Sequence, residues 1–392
     1  MDLTFNPKNQ DLIGRAKELA KEALAPRAGE YDREGKFPRE SFDVLIREGF
    51  TRLTLPENLG GRELYADPAS YVMVMHELGK GCTNTAMLLH MHNSITHFLI
   101  TLGTPAQGER VAALVREGSI IASHGGEAGT STQWNRKLDT RAELVGDTYV
   151  VNGHKVFCSM AGEADYYTLW CQVGKDPDVR KSLCFLFCPS DHPGFTIDRE
   201  WNSYAMRGTV SHAIRIENVE VPADSLFGKG GDPLRPDITP KFGLGYSAVY
   251  LGAGAAAFEW ALNYARERKL KPDDVPIASY FPIQRQIGEM KIALEKALML
   301  LQKAAWTLGT KGPEAALQPI SAAKYAASEA AAFITDKAIK VAGGPGLFRD
   351  YPLERLHREA RAGLVMPPNS EKCLDITAKA VIGQALDMAG TP

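Results

Sequence analysis

The chain has no apolar run of about 18 residues, the length a helix needs to cross a bilayer. Its opening residues, MDLTFNPKNQ, have neither the basic start nor the apolar centre of a secretory leader. Neither sign of charge is in excess. With 45 Lys and Arg against 47 Asp and Glu, the formal net charge is −2, which makes no electrostatic case for nucleic acid or an anionic membrane as partner. Cysteine is scarce, with only six residues (Cys82, Cys158, Cys171, Cys184, Cys188 and Cys373), mostly inside apolar runs. Cys184 and Cys188 form a lone C-x3-C pair with no second pair and no neighbouring histidine, so a metal site is not expected. These absences predict a cytoplasmic protein with buried, reduced thiols.

What is present is ordinary for a globular chain, 44% hydrophobic and 23% charged over 392 residues. That length exceeds one ordinary core and predicts two or three domains or layers. Residues 1–118 read as helices: LIGRAKELAKEALAPRA, ending near Pro26, then SFDVLIREGF, closed by Gly49, then PASYVMVMHELGKGC. TNTAMLLHMHNSITHFLITLGT is apolar nearly all round and therefore central. Residues 119–235 change to short β-branched and aromatic runs punctuated by Gly-Asp and Asn-Gly, which predicts a small antiparallel barrel or sandwich. Residues 236–392 return to long alanine-rich helices with wide apolar faces, the pattern of a four-helix bundle. The fold class is therefore α+β with three domains, and the breadth of the apolar faces predicts a homodimer or homotetramer.

The most informative stretch runs from Val341 to Ile376. It opens with the turn Gly343-Gly344-Pro345-Gly346 after a helical run. Arg355, Arg358 and Arg361 follow at i, i+3, i+6, roughly on one helix face, with Glu354 and Glu359 beside them as ion-pair partners. Pro367-Pro368 then stops the helix, and Asn369 can cap a new one with Glu371 in its first turn.

This order resembles the C-terminal signature of the acyl-CoA dehydrogenase superfamily. Elsewhere Pro56 to Gly61, Asn152-Gly153-His154-Lys155 with Phe157 to Ser159, Met206-Arg207-Gly208-Thr209 and Val219 to Pro222 resemble further motifs of that superfamily, in its order. The resemblance implies the same three-domain fold and FAD as cofactor. It implies an acyl-CoA or related acyl thioester as substrate, oxidised at a CH–CH bond, with electron-transfer flavoprotein or oxygen as acceptor.

The resemblance also proposes residues. Phe157 and Ser159 match an aromatic residue over the isoalloxazine ring and a hydroxyl near N5, although strand alternation alone would place them on one side. Ser123 to Ser131 is a glycine-rich loop where the family meets the flavin, and Thr130 and Ser131 are its candidate contacts. Arg268, Gly343 and Gly344 match adenine-side groups that serve a neighbouring subunit. Asn369 and Glu371 are assigned to the cofactor on the same ground.

The catalytic acid does not carry over. Its two placements in the family fall on Pro367 and Phe242, and neither side chain can take a proton. Losing a general base costs about 10²–10⁴-fold in rate. Three substitutes are open: His92, on the central helix at a position that lines the acyl pocket in relatives, Glu371, and an Asp or Glu from a loop outside these motifs. Three functions follow. The first is an acyl thioester dehydrogenase with a relocated base. The second is a flavin monooxygenase on the same fold, using His92 and Ser159. The third is a non-dehydrogenating member that binds a thioester or a partner protein.

Overall fold

The computed structural model describes residues 6–128, 138–235, 237–238 and 240–386. The first layer is helical: α1 (Pro7–Leu19), α2 (Ala25–Glu34), α3 (Arg39–Arg47), α4 (Pro68–Gly81), α5 (Thr83–Leu102) and α6 (Pro105–Arg116). Short polar side chains set the starts. Asn6 accepts from Lys8 N, Asp67 from Ser70 N, and Thr104 with Gln107 closes a reciprocal capping box on α6. The expected stop near Pro26 does not occur. A π turn over Ala20–Leu24 resets the hydrogen-bond register, so Pro26 falls in the first turn of α2, where a missing N–H goes unnoticed. Gly49, at φ 76°, follows α3 as expected. The central position of α5 is also as expected: Leu88, Leu89, His90, His92, Asn93, Ile95 and Phe98 are all fully buried.

The second layer is one eight-stranded sheet: β1 (Ile121–His124), β2 (Arg141–Val145), β3 (Thr148–Cys158), β4 (Tyr166–Val173), β5 (Leu183–Pro189), β6 (Phe195–Arg199), β7 (His212–Pro222) and β8 (Leu226–Phe227). A one-turn helix, α7 (Val179–Ser182), joins β4 to β5. Hydrogen-bonded neighbours run β6-β7-β3-β2-β4-β5-β8, with β1 beside β4. The β2–β3 hairpin turns at Gly146-Asp147, where Gly146 takes φ 66°. The sheet is mixed rather than purely antiparallel. β1 runs parallel to β4 from Ile121↔Tyr166 to His124↔Leu169, and β2 meets β4 in the same sense over two residues. The β2–β3 hairpin intervenes in sequence and supplies the crossover a parallel pair requires.

The third layer holds α8 (Pro240–Glu267), α9 (Phe281–Lys311), α10 (Pro313–Ala342), α11 (Leu353–Val365) and α12 (Ser370–Val381). α10 packs on all four others. Alanines let the long helices close up: a Cβ added at Gly254 of α8 would lie 3.0 Å from Ala331 Cα of α10.

Charges join the layers. Arg358 of α11 donates to both carboxylate oxygens of Asp32 in α2 at 2.9 and 2.5 Å, to Tyr204 O at 3.0 Å, and to Glu354. Arg207, just before β7, donates to the backbone carbonyl of the same Asp32 at 2.7 Å. Arg355 pairs with the fully buried Glu359, whose carboxylate also accepts from Asn84 of α5 at 2.7 Å. The predicted ion-pair role of Arg355 and Arg358 thus has partners on other elements as well as on α11. All six cysteines are buried and free, and burial pushes every one of the thiols above its ordinary value.

Candidate functional site

α11 ends at Val365 and α12 begins at Ser370, so Met366, Pro367, Pro368 and Asn369 form the turn between them. Asn369 caps α12, its side chain accepting from Lys372 N at 2.9 Å, as its position suggested. Several groups seat this turn. Tyr250 of α8 donates to Met366 Sδ at 3.0 Å, and Cys373 Sγ lies 3.5 Å from Pro368 O. Pro368 also lies within 4 Å of a Cβ built on Gly243. Beneath it lies Lys324 of α10, 1% exposed, donating to Gly363 O at 2.6 Å, Ser328 Oγ at 3.1 Å and Met366 O at 3.5 Å. Lys324 therefore caps the last carbonyls of α11. Burial lowers its pKa to about 8.

On the other side of α8, aromatic rings fill the interface with α5. Phe242 and Tyr246 stack at 5.8 Å, and His90 meets Tyr246 edge-on at 4.9 Å. His90 bonds Tyr71 Oη at 2.7 Å through Nδ1 and Phe242 O at 3.0 Å through Nε2. Its ring fits only because residue 245 is glycine: a Cβ there would come within 2.1 Å of it.

The second half of the site lies on β3. The ladder with β7 slips between Lys155 and Cys158, and Phe157 takes φ 57°. This bulge replaces the simple alternation expected there and separates the two candidate residues. Phe157 is thrown outward, 67% exposed, with its ring edge-on to Trp201 at 5.9 Å, while Ser159 is buried at 7%. Ser159 Oγ lies 2.9 Å from Ser211 Oγ, which lies 2.7 Å from Thr209 Oγ1. Thr209 spends its one hydroxyl proton on Met206 O at 2.8 Å. Ser211 must then donate to Thr209 and Ser159 to Ser211, which leaves Ser159 lone pairs to offer. Gly126 lies beside this bulge. A Cβ there would sit 2.7 Å from Val156 O and 3.8 Å from the Phe157 ring, so only glycine allows the approach.

A pair that sequence reasoning missed holds this corner. Lys155 Nζ, fully buried, donates to Glu127 Oε1 at 2.7 Å and to Trp170 O at 2.6 Å. Glu127 also accepts from Asp139 N at 2.6 Å and Thr140 N at 3.1 Å. Burial pulls the Glu127 carboxyl upward, but the charge and hydrogen bond of Lys155 outweigh it and hold the group below its ordinary value. The available signal was a lysine in the inward-facing register of β3, in line with Tyr149 and Val151.

His92 is not a free base. Its Nε2 lies 3.1 Å from Thr51 O and its Nδ1 accepts from Ile121 N at 3.0 Å. Both nitrogens are engaged by backbone, the side chain is fully buried, and burial lowers the pKa to about 4. The ring ties the loop after α3 to β1, and the catalytic role expected for it is withdrawn. Glu371 lies exposed in the first turn of α12 and makes no hydrogen bond or ion pair within the described residues. That gives the catalytic assignment no support. Arg268 is exposed just after α8. Gly343, at φ 68°, and Gly344 follow α10 with open space where their Cβ atoms would be. No hydrogen bond joins Arg268, Gly343, Gly344, Asn369 or Glu371 to Phe157 or Ser159. Thr130 and Ser131 lie outside the described residues.

Against known sequences, the acyl-CoA dehydrogenase N-terminal domain matches residues 6–118, the middle domain 126–219 and the C-terminal domain 244–382. The chain belongs to the acyl-CoA dehydrogenase family. Similar curated proteins include the probable acyl-CoA dehydrogenase YngJ of Bacillus subtilis, 29% identical over 92% of this chain and 94% of that one. The mitochondrial short/branched chain specific acyl-CoA dehydrogenase of Rattus norvegicus is 30% identical over 96% of this chain and 86% of that one. Among solved structures, butyryl-CoA dehydrogenase from Megasphaera elsdenii is 26% identical, with a TM-score of 0.89 over 97% of this chain and all of that one. The family's fold and its flavoenzyme character follow for this chain.

The residues on β3 fit a flavin. Phe157 on its positive-φ bulge with Gly126 beside it, and the buried Ser159 hydroxyl two residues on, are the groups a flavin cradle here would use. The turn at 366–369, Met366-Pro367-Pro368-Asn369, offers no ionisable side chain.

Proposed function

We propose that the chain is an FAD-dependent oxidoreductase acting on the CH–CH bond of an acyl thioester, with proton removal assigned to a group other than residue 367. The observation that carries this reading is the cradle on β3. Phe157 would lie against the isoalloxazine and Ser159 beside it, with Thr130 and Ser131 as further contacts on the ground of the family resemblance. FAD, when bound there, supplies the two-electron oxidation. The chain's own residues would exclude water: Phe242, Tyr246 and Met366 belong to the apolar packing around α8. Arg268, Gly343 and Gly344 stand apart from the cradle, which suits an adenine site completed by a second subunit in a homodimer or homotetramer. Electron-transfer flavoprotein or oxygen would be the acceptor, and the cytoplasm the place.

Pro367 and the packed Phe242–Tyr246 pair favour a second reading, a member that binds a thioester without dehydrogenating it. The oxygenase reading has less support, since both nitrogens of His92 are engaged. An absorbance spectrum of the purified protein, followed by anaerobic addition of an acyl-CoA panel, tests all three. Bound flavin that bleaches with a thioester is the expected result. Bound flavin that bleaches with none favours the second reading. A colourless protein that takes up only reduced flavin favours the oxygenase.

A further inference from the structure

Away from the cradle, the chain between α3 and α4 folds around an open recess of ≈ 290 Å³. Glu48, Gly49, Arg52, Gly60, Gly61 and Arg62 line it. Glycine permits the close approach that shapes it: a Cβ on Gly61 would lie 2.1 Å from Leu55 O. Arg62 N donates to Arg52 O at 3.2 Å, which sets the two arginines on adjacent segments. A Cβ on Gly49 would lie 3.1 Å from Arg52 Nη2, so that guanidinium lies over bare backbone at the recess wall.

The charges around this recess do not cancel. Glu48 gives both carboxylate oxygens to Arg15, at 2.8 and 3.0 Å. Nearby, Glu57 pairs with Lys8 and Glu109 with Arg116. Arg52 and Arg62 have no carboxylate partner and no side-chain hydrogen bond among the described residues. The backbone has no donor to add. The N–H groups of Gly49, Arg52, Gly60, Gly61 and Arg62 already donate to carbonyls of this loop or of α3. Recognition at this recess therefore falls to two guanidinium forks whose donors are unspent.

A planar fork suits an oxyanion, and a tetrahedral phosphate can present oxygens to two forks at once. A carboxylate neutralises one guanidinium and leaves the other uncompensated. A phosphate monoester carries about −1.5 to −2 charges at pH 7, which answers both. We propose that the recess is a phosphate site, in which Arg52 and Arg62 divide the oxygens of inorganic phosphate or of a small phosphate monoester. No covalent bond forms or breaks. None of the lining residues belongs to the β3 cradle or to the turn at 366–369, so the site goes beyond the proposed oxidation.

The test is isothermal titration calorimetry of the full-length protein at low ionic strength, where screening of exposed charges is weak. Inorganic phosphate and glycerol 3-phosphate are titrated separately, with acetate as the singly charged control. Saturable binding of a phosphate at one site, with acetate much weaker, is the expected result. The tighter of the two phosphates identifies the source as free phosphate or an ester. Arg52→Gln and Arg62→Gln should each weaken binding by about 10-fold or more, through loss of one charge-assisted fork. Arg62→Lys keeps the charge without the fork and should recover only part of that loss. Neither guanidinium has a protein partner, so the variants should keep the wild-type melting temperature in phosphate-free buffer. If Arg52→Gln fails to fold, Arg62→Gln, at an exposed position, carries the test alone. Absence of saturable phosphate binding overturns the proposal, as does acetate binding as tightly as phosphate. Binding that is unchanged in folded Arg62→Gln lies elsewhere and overturns it too. Flavin bleaching is not read in this assay, so its outcome stands apart from that of the proposed oxidation.

Discussion

Replacing Lys155 by methionine removes the cation from a pair in which the lysine side chain is 0% exposed and Glu127 is 3% exposed. Breaking a buried pair by deleting one partner costs about 3–5 kcal/mol, because the remaining charge stays in low dielectric. Two features of this site pull in opposite directions. The backbone N–H groups of Asp139 and Thr140 still solvate Glu127, which lowers the cost. Trp170 O loses its 2.6 Å donor, which adds about 1–3 kcal/mol for an orphaned carbonyl. The expected net loss is about 4 kcal/mol, or about 10³-fold in an opening equilibrium. In a chain of several layers a single global unfolding energy is poorly defined, so the assay is native-state hydrogen exchange of the β3 amides. Protection there should fall by about 10³-fold in Lys155→Met and by less in Glu127→Gln, whose amide oxygen still accepts. The pH dependence has a definite sign. Glu127 has a lowered folded pKa, so its contribution is complete above its unfolded value of about 4.3 and fades as pH falls through the folded one. Wild-type protection at β3 should stay level from neutrality to about pH 5 and drop only in stronger acid. A loss below about 1 kcal/mol in Lys155→Met would refute the view that this pair holds the Gly126 corner.

Arg358→Ala should leave the nearly buried Asp32 carboxylate unpaired and cost about 3 kcal/mol, read as a lower melting temperature and faster proteolysis at the α2–α11 contact. Gly245→Ala puts a Cβ within 2.1 Å of the His90 ring and should destabilise by about 1–3 kcal/mol or more through overpacking; an unchanged melting temperature would show that the ring has room to move. Lys324→Met should cost about 1–3 kcal/mol through the unpartnered Gly363 carbonyl. Because burial lowers the folded pKa of Lys324 to about 8 from an unfolded value near 10.5, wild type should gain stability relative to Lys324→Met as pH rises from about 8 to about 10.5, and lose that gain on the way down. Phe157→Ala should weaken flavin retention on dialysis while leaving the fold intact, since the ring is already 67% exposed.

The order of layers was legible because periodicity changes twice along the chain, from helical to strand spacing and back, with glycine and proline at the joins. Asn369, Gly49 and the Gly146-Asp147 turn could be read locally, since caps and turns depend on neighbours in sequence. Pro26 was misread because its effect depends on the register of the helix before it, and a π turn leaves no trace in composition. The parallel β1–β4 pair is a contact between distant segments that alternation cannot reveal. The candidate site divides the same way. The bulge at Phe157 hid behind ordinary alternation, and His92 looked like a base because sequence cannot show that Thr51 and Ile121 engage both its nitrogens. Lys155 and Lys324 were invisible as pairs, since their partners lie far away in sequence.

Asp32 is held twice, by its side chain from Arg358 and by its carbonyl from Arg207. Residues from the beginning, middle and end of the chain therefore converge on one position. During synthesis Asp32 emerges 326 residues ahead of Arg358, so this knot cannot be tied until the third layer is being made. An N-terminal segment released alone lacks both guanidinium partners and carries a carboxylate that water must serve instead. Folding of the first layer is thereby coupled to completion of the third, and a ribosome-bound fragment should hold its opening helices more loosely than the finished protein does.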